Sequence, residues 1–294
     1  MDKQSALQPE RIAIIGVGLI GGSFSLAMKA ALEKVHVVGY DRDEINLAAA
    51  RHMGVVDSVA HDPGSAVKDA DVVMLAIPVG QYDDVLPLVA PALPSTAVLT
   101  DAGSTKSSVV ENARKHLGKA FERYVPGHPI AGAEHSGVRA ARVDLFKEKD
   151  VILTPVAETH ALPCDIVRKC WEACGARVDE MSIEQHDAIF GVVSHLPHLL
   201  SYALVHDIAT RADANVFFRF AASGFRDFTR IAASNPEMWT DISVANREFL
   251  LLELERYQKQ LKLLSLFLQE ENTEALLAYF KLARDARRAW MESN

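Results

Sequence analysis

The sequence predicts an α/β fold with a doubly wound, mostly parallel sheet, followed by an all-helical domain. Three observations support this prediction. A β-branched apolar run at 12–15 enters a glycine-rich turn, and a helical pattern follows at 23–32. Short apolar runs then alternate with helical patterns as far as residue 178, which is typical of parallel sheets covered by helices. From residue 182 onward, apolar residues recur only at helical spacing.

Each predicted strand is a short run of Val, Ile or Leu that ends at a turn residue. After the first strand, such runs lie at 35–38, 72–77, 97–100, 124–125, 151–154 and 177–178. Between them, helices are predicted at 43–52, 82–93, 107–117 and 163–174. The Gly- and Pro-rich residues 126–137 are predicted to form a loop.

The glycine-rich turn after the first strand reads G-x-G-x-x-G. Gly16, Gly18 and Gly21 are its glycines, and Leu19 and Ile20 lie between the second and third. In dinucleotide-binding folds these glycines allow a tight turn, the approach of a pyrophosphate and close packing of helix on strand. The helix N-terminus that follows favours phosphate. A glycine-rich turn with no nucleotide is the alternative interpretation.

Further positions extend this interpretation. Asp41 ends the second strand twenty residues after the third glycine, where a carboxylate accepts hydrogen bonds from a ribose 2′-hydroxyl. The neighbouring Arg42 would tolerate the 2′-phosphate of NADP. Pro78 ends the apolar run at 72–77, at the strand end where ligands bind in such sheets. Together these positions predict a Rossmann-type, NAD-binding domain over residues 1–181.

Composition excludes several classes of protein. The 294 residues carry a net charge of −8, which argues against nucleic acid as a partner. No apolar run approaches the ~20 residues of a membrane span, and the N-terminus lacks the apolar core of a signal peptide. A cytoplasmic protein is therefore expected. The three cysteines have neither disulfide nor metal-site spacing, so they are interpreted as core thiols.

Residues 182–294 are predicted to form a helical domain for substrate binding and dimerisation. Ser182 begins a capping-box pattern with Gln185. Leucines from Leu250 to Leu268 form a broad apolar stripe, whose simplest interpretation is core packing. Its width also fits burial against a second copy of the chain. Helices are predicted at 183–194, 197–211, 215–223, 236–270 and 273–291.

Two positions in the first domain are candidates for catalysis. Ser104 follows a strand end and is expected to face the nucleotide, although a serine there commonly caps the next helix. His128 lies in the predicted loop, where a neutral imidazole can act as a general base. Glu134 lies six residues further on and could orient it.

The helical domain contributes a second group of candidates. His195 and His198 flank Pro197 with no further ligand set nearby, so a polar cluster facing a substrate is favoured over a metal site. A clamp for a carboxylate, or else a surface turn with an ion pair, is predicted at 224–230, since a guanidinium matches a carboxylate bidentately. Trp239 could form an apolar wall beside it.

Three motifs together resemble the prephenate dehydrogenase (cyclohexadienyl or arogenate dehydrogenase) family of tyrosine biosynthesis. They are HPIAG at 128–132, followed by Glu134 and Ser-Gly at 136–137, then SHLPH at 194–198, and GFRDFTR at 224–230. Their combination and order cover nearly the whole chain. The resemblance implies oxidative decarboxylation of prephenate to 4-hydroxyphenylpyruvate with NAD⁺ as hydride acceptor, and it implies a homodimer.

The resemblance also implies roles for individual residues. His128 would bind the ring 4-hydroxyl and help to remove its proton, with Ser104 between it, the nicotinamide and the substrate. Arg230 would hold a substrate carboxylate, and His198 would contact the substrate side chain. A histidine at position 198 suits the keto side chain of prephenate without excluding arogenate. Three further residues would shape the pocket, namely Ser194, Asp227 and Trp239.

Two rival functions stay open at the level of sequence. A β-hydroxyacid dehydrogenase shares a nucleotide domain followed by helices, but such enzymes usually employ a helical lysine that is absent from the loops singled out above. An NAD(H)-sensing protein without catalysis would need the glycine motif but not the pair of His128 and Arg230.

Overall fold

A computed structural model describes residues 8–133 and 135–293. Six strands form one sheet, and three later strands form a second. The first six are β1 (Arg11–Ile15), β2 (His36–Tyr40), β3 (Ser58–Val59), β4 (Val72–Leu75), β5 (Val98–Asp101) and β6 (Tyr124–Val125). The other three are β7 (Gly127–Pro129), β8 (Asp150–Leu153) and β9 (Arg177–Glu180).

The first sheet has the strand order β3-β2-β1-β4-β5-β6, and all its pairs are parallel. This is the order of a dinucleotide-binding fold, in which the ligand crosses the sheet edge where the order reverses between β1 and β4. β4 and β5 are fully buried, which explains why their sequences lack polar alternation. The predicted Rossmann-type fold class is confirmed.

Helices cover both faces of this sheet, and each face has its own apolar core. One core includes Trp171, Phe24 and the free thiols of Cys170 and Cys174, while the other centres on Tyr82 and Leu86. Burial raises the pKa of Cys170 to about 12, consistent with a core thiol. The helices are α1 (Leu19–Ala31), α2 (Glu44–His52), α3 (Pro63–Val67), α4 (Tyr82–Val89), α5 (Ser107–His116) and α6 (Ala161–Ala173).

The second sheet was not predicted. β7 runs antiparallel to β8, and β8 pairs in parallel with β9. Residues 127–129, predicted as part of a loop, therefore form a strand that includes His128. Gly and Pro on either side concealed it, because three residues are too few to show an alternating pattern. The histidine is consequently held by backbone pairing and not by a loop.

The remaining helices begin at residue 183, where the predicted capping box between Ser182 and Gln185 is present. The predicted helix 236–270 is two helices, interrupted at Asn246. A short helix at 223–229 was missed, since its polar residues have little periodicity. These helices are α7 (Ile183–Phe190), α8 (Leu196–Ala209), α9 (Ala214–Arg219), α10 (Ser223–Thr229), α11 (Pro236–Ala245), α12 (Arg247–Gln269) and α13 (Thr273–Glu292).

The chain divides into two compact units, one ending at Arg247 and the other beginning at Glu248. The first unit contains both sheets and the helices up to α11. The second consists of most of α12 and of α13, and several of its leucines are largely exposed, such as Leu251 (65%) and Leu268 (66%).

One helical run, Ile183–Ala209, is long and apolar enough to cross a membrane by length and composition alone. No such span was predicted from the sequence. A core helix of a soluble protein passes the same test. This run contains His186 and Asp187, which are fully buried and hydrogen-bonded to other elements of the first unit. Those bonds favour the interior of a folded domain over lipid.

A buried ion pair joins the two sheets. The Nζ atom of Lys106 lies 2.5 Å from Oδ2 of Asp101 and 2.6 Å from the carbonyl oxygen of Gly127, and both charged side chains are inaccessible to solvent. The carboxylate of Asp101 also accepts from the backbone N–H of Gly127, at 3.0 Å. The end of β5 and the start of β7 are thus bonded through one carboxylate.

Three further donors complete the shell of this carboxylate. The hydroxyls of Tyr124 and Tyr82 donate at 2.8 and 3.2 Å, and the backbone N–H of Gly103 donates at 2.8 Å. Burial and the Asp101 charge raise the pKa of both phenols well above its usual value, so they stay protonated donors. A buried charge is tolerated when its lone pairs are filled in this way.

Lys106→Met should therefore destabilise the fold strongly, because it leaves the Asp101 carboxylate buried without its cation. The expected loss in the free energy of unfolding is about 3–5 kcal/mol. Urea unfolding followed by circular dichroism measures it. Lys115→Met is the matched control, since Lys115 pairs with Asp83 on the exposed surface, and it should change stability little. Equal losses in the two variants would contradict this account of the buried pair.

Candidate active site

The glycine loop after β1 leaves room for a nucleotide. Gly16 has φ +93°, and a Cβ there would lie 2.4 Å from the carbonyl oxygen of Ala76. A Cβ at Gly21 would lie 2.2 Å from the carbonyl oxygen of Gly16, so helix and strand require both glycines. At Gly18 a Cβ would meet no atom within 4 Å. Internal packing therefore does not require a glycine at position 18, and the missing side chain leaves open space beside the loop.

Helix α1 begins directly at this open space. Gly18 is its N-cap, and no side chain caps the helix there. Leu19 and Ile20 form its first turn and pack partly against the core. Uncapped N–H groups and the positive end of a helix suit a phosphate. The loop thus fits the pyrophosphate of a dinucleotide.

Asp41 lies beside this loop, at the end of β2. Its Oδ2 accepts from the backbone N–H of Val17 and from the side-chain amide of Asn46, both at 3.0 Å. Asn46 also donates to the Val17 carbonyl at 2.9 Å and accepts from the Val138 N–H at 2.9 Å. Asp41 and Asn46 therefore brace the glycine loop. Asn46 was not predicted from the sequence, since one amide on a helix carries no recognisable signal. Arg42 is exposed.

Pro78 begins a 3₁₀ turn, Val79–Gln81, beyond the end of β4. Helix α11 reaches this turn, since a Cβ at Gly80 would lie only 2.6 Å from Oδ2 of Asp241. The helical part of the first unit therefore contacts the nucleotide edge of the sheet directly.

Ser104 is half-buried in the turn after β5, but it does not cap a helix. Helix α5 begins at Ser107, and its first N–H groups donate to a carboxylate from α7. Asp187 accepts from the backbone N–H groups of Lys106 and Ser107, each at 2.8 Å, and from the Ser107 hydroxyl at 2.6 Å. The alternative capping role of Ser104 was wrong because a residue eighty positions away performs it, leaving the Ser104 hydroxyl unused by the helix.

His128 is half-buried on β7 and faces α7. Its Nδ1 lies 2.9 Å from Nε2 of His186, and its ring packs edge-on against Phe190 at 5.0 Å between centroids. Desolvation lowers the pKa of His128 well below its usual value, and the positive charge of Lys106 lowers it further. The imidazole is neutral at pH 7 and able to accept a proton.

A second pair of buried groups continues from His186. Its Nδ1 lies 2.8 Å from Oδ1 of Asp187. Burial acts to raise the pKa of Asp187, but hydrogen bonds from His186, Ser107 and Lys106 outweigh it and lower the pKa to about 2. For His186 the effect of burial is larger than that of the hydrogen bond. Burial lowers its pKa, although the bond to Asp187 acts to raise it. The pair is therefore a carboxylate bonded to a neutral imidazole.

His195 lies close to these groups. Its Nδ1 is 3.0 Å from the side-chain amide of Asn246, which also donates to the Asp187 carbonyl at 2.9 Å. Desolvation lowers the pKa of His195 to about 4, with the Asp187 charge and the Ser104 backbone acting in the opposite direction.

His198 forms the other side of the cluster. Its ring stacks on Trp239 at 3.5 Å between centroids and 19° between planes, and its Nδ1 lies 2.9 Å from the Ser194 carbonyl oxygen. Burial lowers the pKa of His198, and the nearby positive charge of Arg230 lowers it further. Arg230 follows α10 and is exposed, as is Asp227 within that helix.

A π-helical turn, Gly191–His195, connects α7 to α8 and determines where Ser194 and His195 lie. Such turns are rare and occur frequently at functional sites. Pro197 follows within the first turn of α8 and does not break the run of helix. Within residues 8–133 and 135–293, no group of three or more potential ligands could hold a metal ion. The predicted site residue Glu134 lies outside the described residues.

Most of the predicted candidates thus lie in the first unit. His195 connects them, since Asn246 joins its Nδ1 to the Asp187 carbonyl and its ring packs on Trp239 at 6.0 Å between centroids. Three residues of this cluster were not predicted from the sequence, namely His186, Asp187 and Asn246. An adjacent His-Asp pair in an otherwise apolar helix was the one available signal for the first two.

Profiles of one protein family match both parts of the chain. The profile described as "Prephenate dehydrogenase, nucleotide-binding domain" matches residues 24–180. The profile described as "Prephenate dehydrogenase, dimerization domain" matches residues 182–282.

Individual relatives agree with the profiles. The cyclohexadienyl dehydrogenase of Zymomonas mobilis is 38% identical, over 95% of this chain and 96% of its own length. The prephenate dehydrogenase of Bacillus subtilis is 37% identical, over 95% of this chain and 75% of its own. The crystal structure of prephenate dehydrogenase from A. aeolicus, in complex with hydroxyphenyl propionate and NAD⁺, has a TM-score of 0.88 at 36% identity and covers 97% of this chain and 98% of that one. This chain therefore belongs to the prephenate dehydrogenase family.

Proposed function

We propose that this enzyme converts prephenate to 4-hydroxyphenylpyruvate and CO₂ with NAD⁺, in tyrosine biosynthesis, with His128 as its general base. One observation carries the proposal. A neutral imidazole lies beside the turn that follows β5, at the nucleotide edge of the sheet, and is hydrogen-bonded to His186, which is bonded to Asp187. Asn246 joins the Asp187 carbonyl to His195, whose ring packs on Trp239 at 6.0 Å between centroids. Trp239 in turn stacks on His198, which lies near the positive charge of Arg230. A base, an apolar wall and a cation are what a cyclic dicarboxylate requires.

The reaction requires little of the protein besides alignment and one proton transfer. NAD⁺, when bound, accepts a hydride from ring carbon C4. His128 takes the proton of the 4-hydroxyl as the hydride leaves, and the electron pair of the carboxylate bond at C1 enters the ring as CO₂ departs. The oxygen then recovers its proton from His128 and becomes a phenol. Aromatisation supplies the driving force, so positioning is the main task of the chain.

The cofactor-binding residues are proposed from the geometry of the loop. The backbone of Gly16, Gly18, Leu19, Ile20 and Gly21 would hold the pyrophosphate at the start of α1. Asp41 would bond the adenosine ribose, with Arg42 beside it, and Pro78 would line the nucleotide at the end of β4. The carboxylate of Asp41 disfavours the 2′-phosphate of NADP.

The substrate residues are proposed in the same way. Arg230 would hold a carboxylate of the prephenate dianion, and Trp239 would keep His198 in place beside the substrate side chain. Ser104 would contact the 4-hydroxyl together with His128. The remaining pocket residues are proposed to be Ser194, Asp227 and Glu134.

Arogenate is a second candidate substrate. The Nδ1 of His198 faces the Ser194 carbonyl, which can only accept a hydrogen bond, so this nitrogen carries the proton. In the neutral ring Nε2 is then an acceptor, and it can accept from the ammonium group that arogenate has in place of the keto group. His198 therefore does not reject arogenate.

A single assay tests the proposal. NADH formation is measured with prephenate, with arogenate and with a β-hydroxyacid at equal concentrations. We expect turnover of prephenate and of arogenate, and none of the β-hydroxyacid. No NADH from either cyclohexadienyl substrate would overturn the proposed function.

The boundary between the two domains is proposed at residues 181 and 182, and a cytoplasmic location is proposed with it. We further propose that the enzyme is a homodimer formed through residues 182–294. Support comes from the exposed apolar side chains of α12 and α13. Leu251 and Leu268 are among them, and Leu282 is 75% exposed. Soluble proteins rarely leave such a surface uncovered, and an isologous dimer is the simplest closed assembly.

Sedimentation velocity at micromolar concentration should show a species of twice the chain mass of 32.2 kDa. Replacing Leu251 and Leu268 with glutamate should shift it towards the monomer, because the apolar contact is lost. Exclusive sedimentation of the unmodified protein as a monomer would contradict the dimer.

Arg230→Ala should raise KM for prephenate and lower kcat/KM about 30-fold or more, equivalent to about 2 kcal/mol, because a charged hydrogen-bonded partner is removed. Lysine should rescue poorly, since it lacks the planar fork. The dissociation constant for NAD⁺ should change little. Arg226→Ala, an exposed arginine on α10, is the control and should keep KM. An unchanged KM for prephenate in Arg230→Ala would show that Arg230 does not hold a substrate carboxylate.

A further inference from the structure

We propose that His186 and Asp187 are positioning residues that hold His128 in the tautomer with its proton on Nδ1 and its lone pair on Nε2. The inference rests on the proposed role of His128 as the base. The protonation state of His128 before substrate binds follows from the hydrogen bonds that join it to His186 and His186 to Asp187. The donor and acceptor of each bond are determined at the Asp187 end.

The fixed end is the carboxylate of Asp187. Two backbone N–H groups at the start of α5, those of Lys106 and Ser107, point to its oxygens at 2.8 Å. A backbone N–H can only donate, so both oxygens of Asp187 are acceptors. The Ser107 hydroxyl adds a third bond, to Oδ2 at 2.6 Å. With the bond from His186, the carboxylate accepts four hydrogen bonds, which stabilise its ionised form.

The direction of the next bond follows. Oδ1 of Asp187 accepts at 2.8 Å from Nδ1 of His186, so that nitrogen carries a proton. His186 is completely buried, and desolvation favours its neutral form. A neutral imidazole protonated on Nδ1 has a lone pair on Nε2. His186 therefore presents an acceptor to His128.

The bond between His186 and His128 determines the tautomer of the base. Nδ1 of His128 lies 2.9 Å from Nε2 of His186 and must donate to it. Its own Nε2 is left with the lone pair, which is the state a proton acceptor requires. Asp187 thus determines the protonation pattern of a ring it does not touch. When His128 becomes protonated, the same bond stays in place, and no rearrangement is needed.

Asp187 both caps α5 and accepts a hydrogen bond from His186, and a test must separate the two roles. Its replacement would disturb the turn carrying Ser104 as well as the relay. His186→Phe avoids that difficulty. It keeps the size of a buried ring and leaves Asp187 its three bonds to α5, while it removes the acceptor for His128 and the donor to Asp187. Phe190 provides the control, because its ring packs on both imidazoles, at 5.0 and 4.6 Å, without a hydrogen bond.

The first measurement is the ¹⁵N chemical shifts of the ring nitrogens in histidine-labelled wild-type protein, with His128 assigned by its absence in His128→Asn. We expect a protonated Nδ1 and an unprotonated Nε2 at neutral pH. Phe190→Leu should keep this pattern, and His186→Phe should lose it. A wild-type His128 protonated on Nε2 would overturn the proposal, whether or not the variants fold.

The second measurement is steady-state kinetics. His186→Phe should lower kcat about 100-fold, the usual effect of misplacing a catalytic group, with KM for prephenate and binding of NAD⁺ little changed. Phe190→Leu should retain most of kcat. Equal losses of kcat in the two variants would assign His186 to packing alone and overturn the relay.

The ring shifts do not depend on activity. If the wild-type protein shows no turnover of either cyclohexadienyl substrate, the proposed function fails while the tautomer result still stands or falls on its own. If turnover is normal but the shifts show the other tautomer, only the relay fails.

Discussion

Lys106 is bonded at both of its ends, and the arrangement of the site depends on those bonds. Its side chain joins Asp101 at the end of β5 to the Gly127 carbonyl at the start of β7. Its backbone N–H joins the start of α5 to Asp187 on α7. The strand that carries His128, the turn that carries Ser104 and the helix that carries His186 are therefore connected through one buried residue.

The same residue influences the chemistry of the site. A buried positive charge near two imidazoles opposes their protonation, and Lys106 lowers the pKa of both His128 and His186 in this way. Desolvation acts in the same direction and is the larger effect. The ion pair that holds the strand in place thus also adds to the effect of desolvation, which is the main reason that the base is neutral.

Local sequence patterns were sufficient for the fold class and for proposing part of the site. The glycine motif, Asp41 and the β-branched strands are recognisable because each depends on neighbours in sequence. The capping of α5 and the relay to His128 were not predictable, because Asp187 lies eighty residues from the helix it caps. β7 was concealed by its length, and the π-helical turn at 191–195 has no sequence signature. His128 and Arg230 were proposed from residue type and resemblance, whereas the groups proposed to orient His128 could be recognised only from the coordinates.

The pH dependence of kcat/KM for prephenate tests the central claim most directly, namely that His128 is a neutral base in a desolvated site. The base is active when neutral, and its pKa lies well below the ordinary ~6.5. We therefore predict a rate that is constant from pH 7.5 to about 6.5 and falls only at lower pH, with a loss of about 10²–10⁴ in kcat for His128→Asn. A midpoint at or above pH 6.5, or a His128→Asn variant with near-normal kcat, would contradict it.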